Sequence, residues 1–216
     1  MGAEAAGAGV ASSVAHAGAA RGAPLIVGIG GTTRGDSTSE RALRFALRHA
    51  ERSGARTALF AATALDLPMY DPGEPLRTPA AVRLVHALRE SDGVLIASPG
   101  YHGSISGLVK NALDYVEDLR SDARPYLEGR AVGCIACAYG WQAVGTTLVT
   151  LRTIVHALRG WPTPFAAAIN SSTPAFDATG GCIDEGVAAQ LERVACQATD
   201  FALGDARRRR AGSPAP

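Results

Sequence analysis

No run of eighteen apolar residues occurs in the chain, so no part of it reads as a membrane-spanning helix. An excess of one charge is missing too. Twenty-one basic side chains stand against twenty acidic ones, a formal net charge of +1. No global field draws the molecule to nucleic acid, and the Arg207–Arg210 run reads as a solvated tail. Cysteine is scarce, with four in 216 residues, which excludes a disulfide scaffold. Residues 1–23 lack long apolar side chains and early Lys or Arg, and they include Glu4. They suit neither a core nor a signal peptide, and are expected to be a disordered Ala/Gly-rich extension of a cytoplasmic protein. With 205–216 expected as a basic disordered tail, residues 24–204 remain. That is about 180 residues, enough for one domain.

Cys134 and Cys137 form a C-x-x-C, a spacing used for metal or redox chemistry. The surrounding "RAVGCIACAYG" reads as a buried strand, and residues three apart on a strand point to opposite faces. Two thiols facing apart hold no common metal and form no bridge. Cys182 and Cys196 have no partner spacing and read as packing residues.

Five apolar runs are present: 24–30, 55–62, 92–98, 130–138 and 164–170. Most are continuous rather than alternating, as in strands covered on both faces. Helical patterns lie at 38–53, 79–90, 104–119, 144–159 and 183–203, with stripes such as Leu43, Ala46, Leu47 and Ala50, or Val82, Val85 and Leu88. Alternating strands and helices predict an α/β fold with a five-stranded parallel sheet, doubly wound in the order 2-1-3-4-5. The Pro-rich segment 66–79 reads as a surface loop long enough to help shape a site.

Ligands of such sheets bind beyond the carboxyl ends of the strands, which singles out three loops. In "GIGGTTRGDSTSERAL", Thr32, Arg34, Ser37, Thr38 and Ser39 crowd a helix start, where N–H groups and the dipole suit a phosphate. A Walker A loop needs a Lys that is absent, and a dinucleotide fingerprint needs a third glycine where Thr33 stands. Ser37 and Glu40 also fit a capping box, which is compatible with a ligand on the remaining donors. The second loop, "SPGYHGSIS", offers Pro99, Gly100, Tyr101, His102, Gly103 and Ser104 as a backbone that a flat ligand can approach. A hydrolase reading of Ser104 with His102 fails for want of G-x-S-x-G. The third, "CAYGWQAVGT", brings Tyr139, Gly140 and Trp141, and Trp141 suits packing as well as it suits a ligand. A monophosphate joined to a planar heterocycle fits all three loops, and flavin mononucleotide (FMN) has that shape.

"GTTRGDSTSERAL", "LPMYDP", "SPGYHGSISGLVKNALDYV" and "AINSSTPAFD" together resemble the NADPH-dependent FMN reductase family, over roughly residues 24–200. The resemblance implies a flavodoxin-like FMN-binding domain at 24–204 and NADPH or NADH as hydride donor. It implies Thr32, Arg34, Ser37, Thr38 and Ser39 as phosphate ligands. Pro99 to Ser104 become the ring loop, and Tyr139, Gly140 and Trp141 close the other side. Lys110, Asn111 and Asp114 match a helix near a subunit contact, and a homodimer or homotetramer is implied. Two departures concern the ring's surroundings. Gly100 and His102 stand where the family commonly has an acidic residue and an asparagine, and Tyr139 stands where a glycine is usual beside Gly140. The implied activity is hydride transfer from nicotinamide to flavin and onward to a monooxygenase partner, a quinone or another acceptor. No catalytic side chain and no metal are required. A flavodoxin-type electron carrier and a biosynthetic flavoprotein reductase are the alternatives.

Overall fold

In the computed structural model, residues 22–210 are described, so what was expected of 1–21 and 211–216 lies outside the described residues. The strands are β1 (Leu25–Gly30), β2 (Arg56–Ala61), β3 (Gly93–Tyr101), β4 (Ser104–Ile105), β5 (Ala131–Ala138), β6 (Trp161–Pro162) and β7 (Ala167–Asn170). The helices are α1 (Thr38–Arg52), α2 (Pro79–Glu90), α3 (Gly107–Asp114), α4 (Trp141–Ala157) and α5 (Glu185–Arg210). Strand order is β2-β1-β3-β5-β6, with β7 also on β5, and all these pairings are parallel. This is the expected winding, with two local departures.

The fifth strand is broken into β6 and β7. Pro162 and Pro164 bring no N–H to a ladder, and such residues are tolerated only at an edge. Thr163 between them still donates its N–H to the Val132 carbonyl at 3.0 Å. The third strand runs on to Tyr101 and folds back antiparallel as β4. His102 and Gly103 make the turn, with φ of 50° and 83°, the signs that a two-residue type I′ hairpin demands. The next helix therefore starts at Gly107 rather than 104, with the Ser106 hydroxyl capping it by accepting the Val109 N–H at 3.2 Å.

The sheet separates two cores because neighbours along each buried strand point to opposite faces. Val27, Ile96 and Cys134 pack with Leu84 of α2 and Val109 of α3. Ile26, Leu95 and Cys137 pack with Leu43 of α1 and Leu191 of α5. Cys134 and Cys137 thus face apart, as their spacing required, and burial pushes each thiol up to about 12. The stripe of α2 differs from expectation. Val82 is exposed, and the inner line is Ala81, Leu84, Val85 and Leu88, because spacings of three alone rotate off a 3.6-residue face. Helix α5 continues past its expected end into the segment read as tail. Asp205 is buried there, and it pairs with Arg208 at 3.3 Å.

The Pro-rich loop is fastened to α3 and the turn after it. Asn111 accepts the Tyr70 N–H at 2.8 Å and donates to the Pro68 carbonyl at 2.9 Å. Arg77 grips the Asp118 carboxylate with two bonds of 2.8 Å. None of this loop reaches the cleft described below.

Helix α1 carries the end of the first loop, and its hold on the sheet runs through Leu43, fully buried in the second core. Leu43→Ala should cost about 2–5 kcal/mol of unfolding free energy, measured by urea denaturation.

Candidate functional site

The first loop leaves β1 and enters α1 with its end firmly capped. Ser37 is extended, and its hydroxyl accepts the Glu40 N–H at 3.3 Å. Glu40, itself buried, closes the box one residue early: its carboxylate accepts the N–H of Asp36 at 3.1 Å. Arg44 pairs with the same carboxylate at 2.6 Å and balances its charge. The box therefore consumes neither the Thr38 nor the Ser39 N–H, which as first-turn groups have no partner within the helix. Ser37 and Ser39 stand with hydroxyls 3.3 Å apart. The Thr32 hydroxyl donates to the Arg34 carbonyl at 2.7 Å, folding the loop on itself.

A latch closes this loop from outside. Arg41 pairs with the Asp36 carboxylate at 2.6 Å and also donates to the Asp177 carbonyl, in the segment after β7. The Arg41 guanidinium holds Asp36 below the usual carboxylate range. Asp177 is lowered chiefly by the Thr179 hydroxyl and the Gly181 N–H that bond its carboxylate.

The second loop is the end of β3 with its hairpin. Ser98 is buried, donates to the Pro99 carbonyl at 2.9 Å, and accepts the Ser106 N–H at 3.0 Å. Its hydroxyl ties the strand end to the cap of α3 and fixes Pro99 and Gly100 between them. At Gly100 a β-carbon would stand 2.5 Å from the Thr147 hydroxyl oxygen and 2.8 Å from the Ala138 β-carbon. A side chain cannot occupy that place, so the carboxylate common in the resembled family has no room there.

The third loop turns from β5 into α4 at Gly140, whose φ of 101° suits glycine. Asn170, closing β7, accepts the Gly140 N–H at 2.9 Å and the Ser172 N–H at 3.1 Å. One amide side chain thus joins the third loop to the segment after β7.

These loops enclose a cleft of about 600 Å³ at the carboxyl ends of the strands. Thr32, Arg34, Ser37, Thr38 and Ser39 line one side; Pro99, Gly100, Tyr101 and Tyr139 line the other. His102, Gly103, Ser104, Gly140 and Trp141 are not on its wall. His102 and Gly103 are the exposed hairpin turn, Ser104 is its exposed return strand, and Gly140 and Trp141 cap the start of α4. Thr33, Cys137, Ala138 and Ser171 line the cleft without having been singled out as site residues. Thr33 sits inside a motif already read. Cys137 and Ala138 are the last residues of a strand, and only their position at its carboxyl end could have marked them. Ser171 belongs to "AINSSTPAFD", a stretch the family resemblance included without giving it a role. Tyr101 and Tyr139, which line the cleft, are 51% and 82% exposed, and Trp141 is exposed outside it.

A parallel α/β sheet in this order, with a loop-lined cleft at the carboxyl ends of its strands, defines a protein of the flavodoxin-like kind. Its relatives agree. The NADPH-dependent FMN reductase family matches residues 24–174. The NADPH-dependent FMN reductase ArsH of Shigella flexneri is 31% identical over 151 residues, 69% of this chain, which spans only 57% of that protein. An NAD(P)H-dependent FMN reductase of Pseudomonas aeruginosa is 28% identical over 171 residues, 74% of this chain and 85% of that one. Among solved structures, FerB, a flavoenzyme NAD(P)H:(acceptor) oxidoreductase from Paracoccus denitrificans, superposes with a TM-score of 0.68. That match is at 22% identity and covers 84% of this chain and 98% of that one, a likeness of fold. The chain belongs to the NADPH-dependent FMN reductase family, a class of flavin oxidoreductases that draw hydride from a nicotinamide.

The residues present fit that cofactor: helix-start N–H groups, hydroxyls and Arg34 are of the kind that hold a phosphate, and Pro99 and Gly100 line the same cleft. Two outcomes follow from the site's construction. Gly100→Ala should lower stability by about 1–3 kcal/mol through overpacking against Thr147 and Ala138, read from urea melts. The Arg41–Asp36 latch should hold at neutral pH and open on acidification. Asp36 has its folded pKa depressed, so its contribution is complete above the unfolded value of about 3.9. It is lost as pH falls through the lower folded value. Amide exchange in residues 32–36 should therefore quicken only below about pH 4, and Asp36→Asn should quicken it at neutral pH as well.

Proposed function

We propose that this chain is an NAD(P)H-dependent FMN reductase whose cleft holds FMN with the phosphate on the α1 side and the ring on the β3–β5 side. Carrying the proposal is the pairing, across one cleft, of an anion nest at Thr32, Arg34, Ser37, Thr38 and Ser39 with the flat wall at Pro99 and Gly100. Family membership supports the cofactor and the hydride donor. When bound, FMN supplies the redox chemistry, taking hydride from the nicotinamide and handing electrons to an acceptor.

The chain's own residues bind and orient. The first-turn N–H groups of Thr38 and Ser39 and the positive end of α1 attract the phosphate dianion. Arg34 adds a charge-assisted contact. The Glu40–Arg44 pair keeps the carboxylate under the nest neutralised. Pro99 and Gly100, fixed by the buried Ser98 hydroxyl, present backbone to the ring without reorganising. Tyr101 and Tyr139 at the mouth offer faces for a planar second substrate. His102, on the hairpin tip, is placed to reach that substrate's edge rather than the cleft floor. A quinone or free flavin suits such a mouth, and a monooxygenase is a reasonable recipient of reduced flavin. A homodimer or homotetramer accords with the family. No helix among the described residues is long and apolar enough to cross a membrane.

Purified chain supplied with FMN should oxidise NADPH or NADH with saturable dependence on flavin, followed at the nicotinamide absorbance. Absence of oxidation with flavin present would refute the reductase. Arg34→Ala should weaken FMN binding roughly tenfold, the low end for a charged hydrogen bond at an exposed site; unchanged affinity by fluorescence titration would remove Arg34 from the nest.

A further inference from the structure

At the other end of α1 from the cleft, two helices bring a nucleophile and a base together. His49 of α1 and Cys196 of α5 meet with the imidazole Nε2 3.1 Å from the sulfur. Ten residues of helix separate His49 from Ser39, about 15 Å along the axis, so this pair is distinct from the cleft. The second ring nitrogen is also engaged. Arg52 approaches Nδ1 at 3.2 Å and the Glu192 carboxylate lies 3.8 Å from it. With Arg52 donating to Nδ1, Nε2 carries hydrogen toward the sulfur. With Nδ1 protonated toward Glu192, Nε2 takes the thiol proton. In either arrangement a hydrogen lies between Nε2 and the sulfur.

The other three cysteines lack this arrangement. Cys134 and Cys137 are buried in opposite cores, with their thiols held up near 12. Cys182 is partly exposed and bonds to the Asp184 carbonyl at 3.4 Å. Cys196 is partly exposed, and the His49 side chain is 19% accessible, so a small reagent can reach the pair.

We propose that Cys196 and His49 form a reactive thiol–imidazole pair at which hydroperoxides oxidise this chain. His49 accepts the thiol proton and the sulfur attacks one peroxide oxygen. The S–O bond forms as the O–O bond breaks; sulfur is oxidised by two electrons and the peroxide reduced by two. The proton held on His49 goes to the departing oxygen, which leaves as water from hydrogen peroxide or as an alcohol from an organic peroxide. The product is a sulfenic acid at Cys196. Burial and the carboxylates of Asp200 and Glu192 push the free thiol up, and His49 and Arg52 of α1 stand against them. Reactivity therefore comes from proton transfer within the pair and not from a solitary thiolate.

Full-length protein treated with dilute hydrogen peroxide and dimedone, then mapped by mass spectrometry, tests this. Cys196 should trap the adduct first, at least tenfold faster than Cys182. His49→Gln should slow Cys196 at least tenfold and leave Cys182 unchanged. Equal labelling of Cys182 and Cys196, or an undiminished Cys196 rate in His49→Gln, would overturn the proposal. Wild-type alkylation by iodoacetamide against pH gives a second reading that needs no variant. The Cys196 rate should rise in two steps, one for each proton that the coupled pair gives up, and a single step would contradict the pair.

Discussion

The first loop depends on one buried carboxylate. Glu40 caps backward onto the Asp36 N–H, while its own N–H is capped by Ser37 and its charge is met by Arg44. An unpaired charge at that depth would be expensive, so the three contacts act together. They set where α1 begins and therefore where its dipole and free N–H groups point. Capping and anion binding were expected to draw on different donors of the same loop. In the structure they are compatible, because the box closes on Asp36 and leaves the first helical N–H groups at the cleft.

The opposite wall is fixed by different means. Close approach of β3 to α4 excludes any side chain at Gly100, and the Ser98 hydroxyl binds the strand end to the helix that follows. Asn170 then joins the third loop to the segment after β7. Ser98 and Asn170 each make their joint by bonding backbone groups of two segments, so the cleft is shaped before any ligand enters. Preformed geometry of this kind suits a protein whose task is to hold a cofactor in register and to leave the chemistry to it.

Much of this was legible in the chain. Continuous apolar runs marked strands covered on both faces, and the alternation of strands with helices gave the winding. The three-residue spacing of Cys134 and Cys137 placed the thiols on opposite faces. The hydroxyl-rich start of α1 marked one wall of the cleft. Other features were hidden because they are tertiary. The turn at His102 and Gly103 stands outside the cleft wall, and a Gly-rich sequence does not show that the strand turns back there as a hairpin. The exposure of Val82 depends on how α2 is rotated against the sheet. Ser171 lines the cleft from a segment that Asn170 ties to the third loop, a contact between residues 30 positions apart. The contact between His49 and Cys196 joins residues 147 positions apart, beyond any local pattern.

Comparing FMN with riboflavin tests the account most directly, because the two differ only in the phosphate. Titrated into the purified protein and followed by flavin fluorescence, FMN should bind at least a hundredfold more tightly than riboflavin, about 2.7 kcal/mol. Equal affinities would mean that the start of α1 holds no phosphate, and the placement of the cofactor in this cleft would be wrong.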